Sequence, residues 1–127
     1  MSASKCERCG FDVPKDGQCG NCSENKGFKK DSGKPRPALM GVNAMMGLSR
    51  VMAFGAKKYS DDNWRSGMSY KRVADALLRH VIAFLGGEDV DPETGELHMD
   101  HAMCNAMFLS EYQHTGTGQD DRYKYTK

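Results

Sequence analysis

The sequence predicts an all-α chain: a helical bundle preceded by a small zinc-binding module. Three observations carry this reading. Three stretches repeat apolar residues at helical spacing, no stretch beyond the first 25 residues alternates at period two, and four of the five cysteines sit in two C-x2-C knuckles near the start. With 127 residues the chain can bury one modest core plus a satellite. The segments are a zinc-binding module over 1–25, a linker over 26–37, a helical domain over 38–115 and a polar tail over 116–127.

The first module rests on Cys6, Cys9, Cys19 and Cys22, spaced C-x2-C-x9-C-x2-C. Two thiolates two residues apart chelate one ion from a tight turn. Two such knuckles, with Gly10 and Gly20 next to their cysteines, complete a tetrahedral sulfur shell suited to a structural Zn2+, a zinc-ribbon or knuckle arrangement. Two disulfides are the competing reading and need an oxidising compartment. So small a module draws its folding energy largely from the metal. It serves either as a staple or as a grip on nucleic acid. Residues 23–37 are polar, with Gly, Pro and five Lys/Arg, and read as a linker.

The first helix is expected over 38–58, where Leu39, Val42, Met45, Met46 and Met52 recur at helical spacing and Gly41 and Gly47 weaken the pattern. The second is expected over 69–85, capped by Ser69, striped by Val73, Ala76, Leu77, His80, Val81 and Phe84, and stopped by Gly86-Gly87. The third is expected over 97–113 and is apolar nearly all round, as befits a central or interface helix. Cys104 lies in that apolar stretch and reads as a core thiol. Broad apolar faces predict a homo-oligomer that completes the bundle; a clean monomer mass by light scattering would remove that expectation. The tail reads as mobile, with Tyr123 and Tyr125 able to pack against a neighbour.

Composition narrows the function. Lys+Arg is 18 against Asp+Glu 17, a net charge of +1, which disfavours a strongly cationic nucleic-acid binder while leaving a local basic patch open. Mean hydropathy is −0.68, and no apolar run approaches the ~20 residues of a membrane span. The start lacks the apolar core of a signal peptide, so a cytoplasmic protein is expected, in the host cytoplasm if a phage encodes it.

Polar residues interrupt the apolar pattern at telling places. Between the second and third helices stand Glu88, Asp89, Asp91, Glu93 and Glu96, five carboxylates in nine residues, a composition that suits Mg2+ or Mn2+. A solvated acidic turn is the alternative. His80 interrupts the apolar stripe of the second helix and His101 that of the third, while His98, His101 and Asn105 share a helix face. Before the second helix come Lys57, Lys58, Tyr59, Asn63, Trp64 and Arg65. Phosphate-binding cations, stacking rings and an acidic loop together describe a nucleotide site, although Trp64 fits simple packing equally well. No P-loop, GxGxxG, GxSxG or HExxH pattern is present.

The runs KPRPALMGV, FGAKKYSDDNW and LLRHVIAFLGGEDVDPETGELHMDHAMCNAMFL resemble the phage-type dATP/dGTP diphosphohydrolase N-terminal family, over about residues 34–113. That family looks related to the all-α MazG-like nucleotide pyrophosphohydrolases. The resemblance implies an oligomeric, Mg2+- or Mn2+-dependent enzyme that cleaves dATP or dGTP to monophosphate and pyrophosphate and so adjusts nucleotide pools. The paired ExxE and ExxD motifs of MazG-type enzymes are absent, so the implied metal ligands are Glu88, Asp89 and Asp91, joined by His98, Asp100 or His101. Catalytic roles fall to Glu88, Asp91, His98 and His101. Substrate contacts fall to Lys57, Lys58, Asn63, Trp64, Arg79, His80 and Asn105. The rival expectation is a non-enzymatic binder of a nucleotide, nucleic acid or host protein.

Overall fold

In the computed structural model of the chain the described residues are Ser4–Lys5, Asp12–Val13 and 27–126. The zinc expectation at Cys6, Cys9, Cys19 and Cys22 lies outside them. The chain forms two compact units, Met1–Leu39 and Met40–Lys127. In the first, β1 (Ser4–Lys5) pairs antiparallel with β2 (Asp12–Val13), Ser4 opposite Val13. A 3-10 turn over Pro37–Leu39 ends the unit.

The second unit is three helices, and the expected positions hold closely. Helix α1 spans Val42–Lys58, α2 Tyr70–Leu85 and α3 His98–Thr115. α1 starts four residues later than its apolar pattern suggests because Gly41, in extended conformation, is its N-cap and accepts the first helical bond from Met45 N at 3.0 Å. Ser69 caps α2 as expected, its hydroxyl accepting from Arg72 N at 3.3 Å. Gly116 ends α3 in the left-handed region, at φ 70°. α3 packs against both α1 and α2, which explains why its sequence is apolar nearly all round.

The core gathers around Trp64, Val73 and Tyr112, with Met52, Met68, Tyr70, Met107, Phe108 and Leu109 packed against them. Tyr112 is 1% exposed, and its hydroxyl donates to the Trp64 carbonyl at 2.6 Å. Trp64 stacks on Phe108 at a centroid distance of 4.9 Å. Cys104 is buried beside Met52, its Sγ 3.5 Å from the thioether, and burial pushes its thiol up to about 11, an inert core group. Outward, Leu78, Ile82 and Leu85 of α2 and Val42 and Met46 of α1 stay exposed in the single chain. The oligomer expected from the sequence would cover them. No helix among the described residues is long and apolar enough to cross a membrane.

Two features depart from the sequence expectations. The tail does not trail away. Gln119 N donates to Met68 O at 3.1 Å, Tyr70 N to Gln119 O at 2.9 Å, and Asp121 accepts from Lys71 N at 3.0 Å and from the Ser69 hydroxyl. These bonds hold the Asp121 carboxyl below its ordinary range, the Ser69 hydroxyl contributing most, and set a carboxylate at the positive end of α2. The crossing requires glycine: Gly118 has φ 82°, and a Cβ there would lie 2.9 Å from Met68 O.

Gly47 is the second departure. It is not merely a weak helix residue but the point where α1 meets Asp100 of α3. A Cβ there would lie 2.8 Å from Asp100 Oδ1 and nearer still to the rest of the carboxylate, which is only 6% exposed. Gly47→Ala is therefore expected to destabilise this unit by about 1–3 kcal/mol, even though alanine favours helix by about 1 kcal/mol. Thermal melts would check this. Asp100→Ala in the same chain is expected to restore most of the loss, and a Gly47→Ala melting point at or above the parent's would refute the clash.

Candidate active site

Gly86 and Gly87 stop α2, and the chain then doubles back on itself. Val90 and Leu97 form a lone antiparallel bridge, Asp91 N donates to Glu96 O at 2.8 Å, and Asp91 Oδ1 accepts from Glu93 N at 2.8 Å. Gly95, at φ 77°, lets the turn close. His98 N donates to Asp89 O at 2.9 Å. This hairpin turn aims the start of α3 back at the last turns of α2, and that return places His98 beside His80. Two ion pairs tie the loop to α1: Arg50 Nε with Glu96 at 3.0 Å, and Lys58 Nζ with Glu93 at 3.7 Å.

Three histidines and their carboxylates meet at this junction. His80 Nδ1 lies 2.9 Å from His98 Nδ1, and His98 Nε2 lies 2.6 Å from Glu88 Oε1. His101 Nε2 lies 2.7 Å from Thr94 Oγ1 and 3.6 Å from Asp91 Oδ2, and its ring stacks on His80 at 4.5 Å and 7°. Burial, then the neighbouring His101, pulls the His80 pKa below its ordinary value, against the opposing pull of Asp91. Among the described residues, His80, Asp91 and His98 each bring one ligand atom within 4.8 Å of the others.

A cavity of about 780 Å³ opens between the helices from this cluster. That is ample for a nucleotide-sized molecule. His80, Asp91, His101 and Asn105 line it. So do Lys58, Asn63, Arg72 and Arg79, with Tyr59, which is 64% exposed. Arg72 and Arg79 form no ion pair with a described residue, so their charge remains available to an anion.

Most of the expected site residues therefore converge, with exceptions. Lys57 points away from the main cavity, lining a shallow dent with Asp61. Trp64 touches the cavity as a core residue, one face on Phe108 and the Arg65 guanidinium 4.7 Å from its ring centroid. Tyr59 is the open ring. The expected carboxylate triad does not form: Glu88, Asp89 and Asp91 are not a converging set, because Glu88 turns to His98, Asp89 is exposed and Asp91 turns to His101. Asp100, near the predicted ligands, faces Gly47. The sequence did not single out Thr94, the partner of His101, or Arg50, the partner of Glu96. A threonine inside the PETG turn, three residues from the nearest helix, carries no periodic signal.

Residues 24–122 match the family described as dATP/dGTP diphosphohydrolase, N-terminal. A dATP/dGTP diphosphohydrolase of Salmonella phage PMBT28 is 35% identical over 96 residues, covering 76% of this chain and 33% of that protein. The chain thus spans about a third of the length of this relative. No solved structure matches it. The match takes in every residue of the histidine cluster and its cavity, and it begins after Cys22.

Proposed function

This chain belongs to the dATP/dGTP diphosphohydrolase N-terminal family, and on that premise we propose that it is a metal-dependent nucleoside triphosphate pyrophosphohydrolase. Purine deoxynucleotides are the favoured substrates. One observation supports this reading above the others: a single cavity joins Arg72 and Arg79, which pair with no carboxylate among the described residues, to a cluster of histidines and carboxylates. A triphosphate needs the first group for its charge, and its hydrolysis needs the second.

The chain's own residues take the following parts. Arg72, Arg79 and Lys58 neutralise the triphosphate, Lys58 exchanging its exposed partner Glu93 for phosphate. Tyr59 stacks on the base, and Asn63 or Asn105 offers an amide to its edge. A water attacks the α-phosphorus and the bond from that phosphorus to the bridging oxygen breaks, so that pyrophosphate departs with the bond's electrons. The water's proton passes to His101, whose imidazolium Asp91 then stabilises from 3.6 Å. A divalent ion bound at the cluster would draw charge from the phosphate oxygens. Positioning and charge stabilisation supply the remaining catalysis. The four amino-terminal cysteines are proposed to hold a structural zinc.

The test is direct. Purified chain incubated with each dNTP and Mg2+ or Mn2+ is expected to yield monophosphate and pyrophosphate by ion-exchange chromatography, fastest with dATP or dGTP. If no nucleotide is cleaved with either metal, the hydrolase reading fails. Thermal stabilisation by a dNTP without turnover would leave a nucleotide binder in its place.

A further inference from the structure

We propose that His80, His98 and Asp91 form a binding site for a first-row transition dication rather than for Mg2+. This deepens the hydrolase reading, and its test is independent of turnover. The sequence expectation was an oxygen-rich Mg2+ or Mn2+ site in the acidic loop, with His98 or His101 as further candidates and His80 placed with the substrate. The fold instead brings together two imidazole nitrogens and one carboxylate, within 4.8 Å of one another. That donor set matches ions from Mn2+ to Zn2+, whereas Mg2+ favours oxygen.

The spacing of the donor atoms is what suits this cluster to an ion. Glu88 Oε1 lies 2.6 Å from His98 Nε2, which leaves Nδ1 of that ring facing His80. His80 presents its own Nδ1 there, 2.9 Å away. Two nitrogens on a shared ion at metal–nitrogen distances of about 2.0–2.1 Å sit about 3 Å apart when they are cis ligands. The two rings already hold that spacing. Glu88 is then the carboxylate that orients a ligating histidine from behind, an arrangement that recurs at metal-bound imidazoles. His98 is buried while the Glu88 carboxylate is largely exposed, so the anchor comes from the loop and the ligand from the helix. His101 lies beside the set, stacked on His80, which leaves it to the water.

Mn2+ is the probe, because thiolate ligands select softer ions and the amino-terminal cysteines stay silent to it. Chelator-stripped full chain is titrated with Mn2+ while electron paramagnetic resonance counts the free ion. One equivalent is expected to bind, to resist a hundredfold excess of Mg2+ and to leave when Zn2+ is added. Bound Mn2+ is expected to broaden the imidazole proton resonances of His80 and His98 in the unmodified chain, so the assignment does not depend on a variant that folds. Asp91→Asn is expected to abolish binding, Glu88→Gln to weaken it about 10–100-fold, and Asp89→Asn to leave it unchanged. No binding, equal displacement by Mg2+, or a loss with Asp89→Asn equal to that with Asp91→Asn would overturn the proposal. Mn2+ binding without nucleotide cleavage would overturn the hydrolase reading alone. Cleavage with Mg2+ in a chain that binds no Mn2+ would overturn this site alone.

Discussion

Tyr112→Ala is expected to lower the unfolding free energy of the helical unit by about 3–5 kcal/mol, measured by urea denaturation. This is the largest stability effect expected of a single side chain here. Tyr112 is the most buried large residue, packed beside Trp64 and Tyr70 at the end of α3. Removing the ring opens a cavity against two aromatic neighbours. It also deprives the Trp64 carbonyl of a 2.6 Å donor. Tyr112→Phe separates the two causes, since it keeps the ring and loses only the hydroxyl. That variant is expected to cost about 1–3 kcal/mol, the penalty of one buried acceptor left unpaired. A Phe variant as unstable as the Ala variant would show that the hydrogen bond, and not packing, fastens the short 3-10 helix Asn63–Ser66 to α3.

The largest effect on activity is expected at His101. On the proposed chemistry, His101→Gln reduces kcat with dATP by about 10²–10⁴-fold, with KM and the melting temperature close to the parent's. His101 is half-buried at the cavity wall and contacts the loop only through Thr94 and Asp91, so a neutral amide can keep those contacts. Arg79→Ala is expected to show the opposite split, a raised KM with a smaller loss of kcat, because its cation meets a triphosphate that is charged before and after the attack. Steady-state kinetics on both variants checks the division of labour. A His101→Gln enzyme with full kcat would move the base to another residue.

Much of this architecture was legible in the residues. The helices, the Ser69 cap and the Gly86-Gly87 stop follow from apolar spacing and capping chemistry, which are local rules. The placement of His80, His98 and His101 near one another also followed, because polar rings on apolar faces must meet partners inside a bundle. What escaped were contacts set by the return path of the chain. Nothing local says that Glu88 will turn to His98 rather than join Asp91, because the hairpin bonds between Asp91 and Glu96 decide which way each carboxylate faces. Gly47 read as a weak helix residue because its purpose lies in Asp100, more than fifty positions away. Trp64 offered an aromatic ring without saying that Phe108 and Arg65 would occupy it. The tail read as mobile because polar composition does not reveal a partner at the head of α2.

That last contact has a consequence for how the protein comes into being. The bonds from Ser69, Tyr70 and Lys71 to Gln119 and Asp121 join positions about fifty residues apart. Gln119 also borders the cavity. On a ribosome delivering the chain from its amino end, α2 emerges with its first turn unclosed and must wait until Asp121 has cleared the exit tunnel. The pocket is therefore completed only after the segment around Gln119 has been made, and a chain released at the end of α3 would carry every histidine of the cluster without the segment that finishes the wall around it.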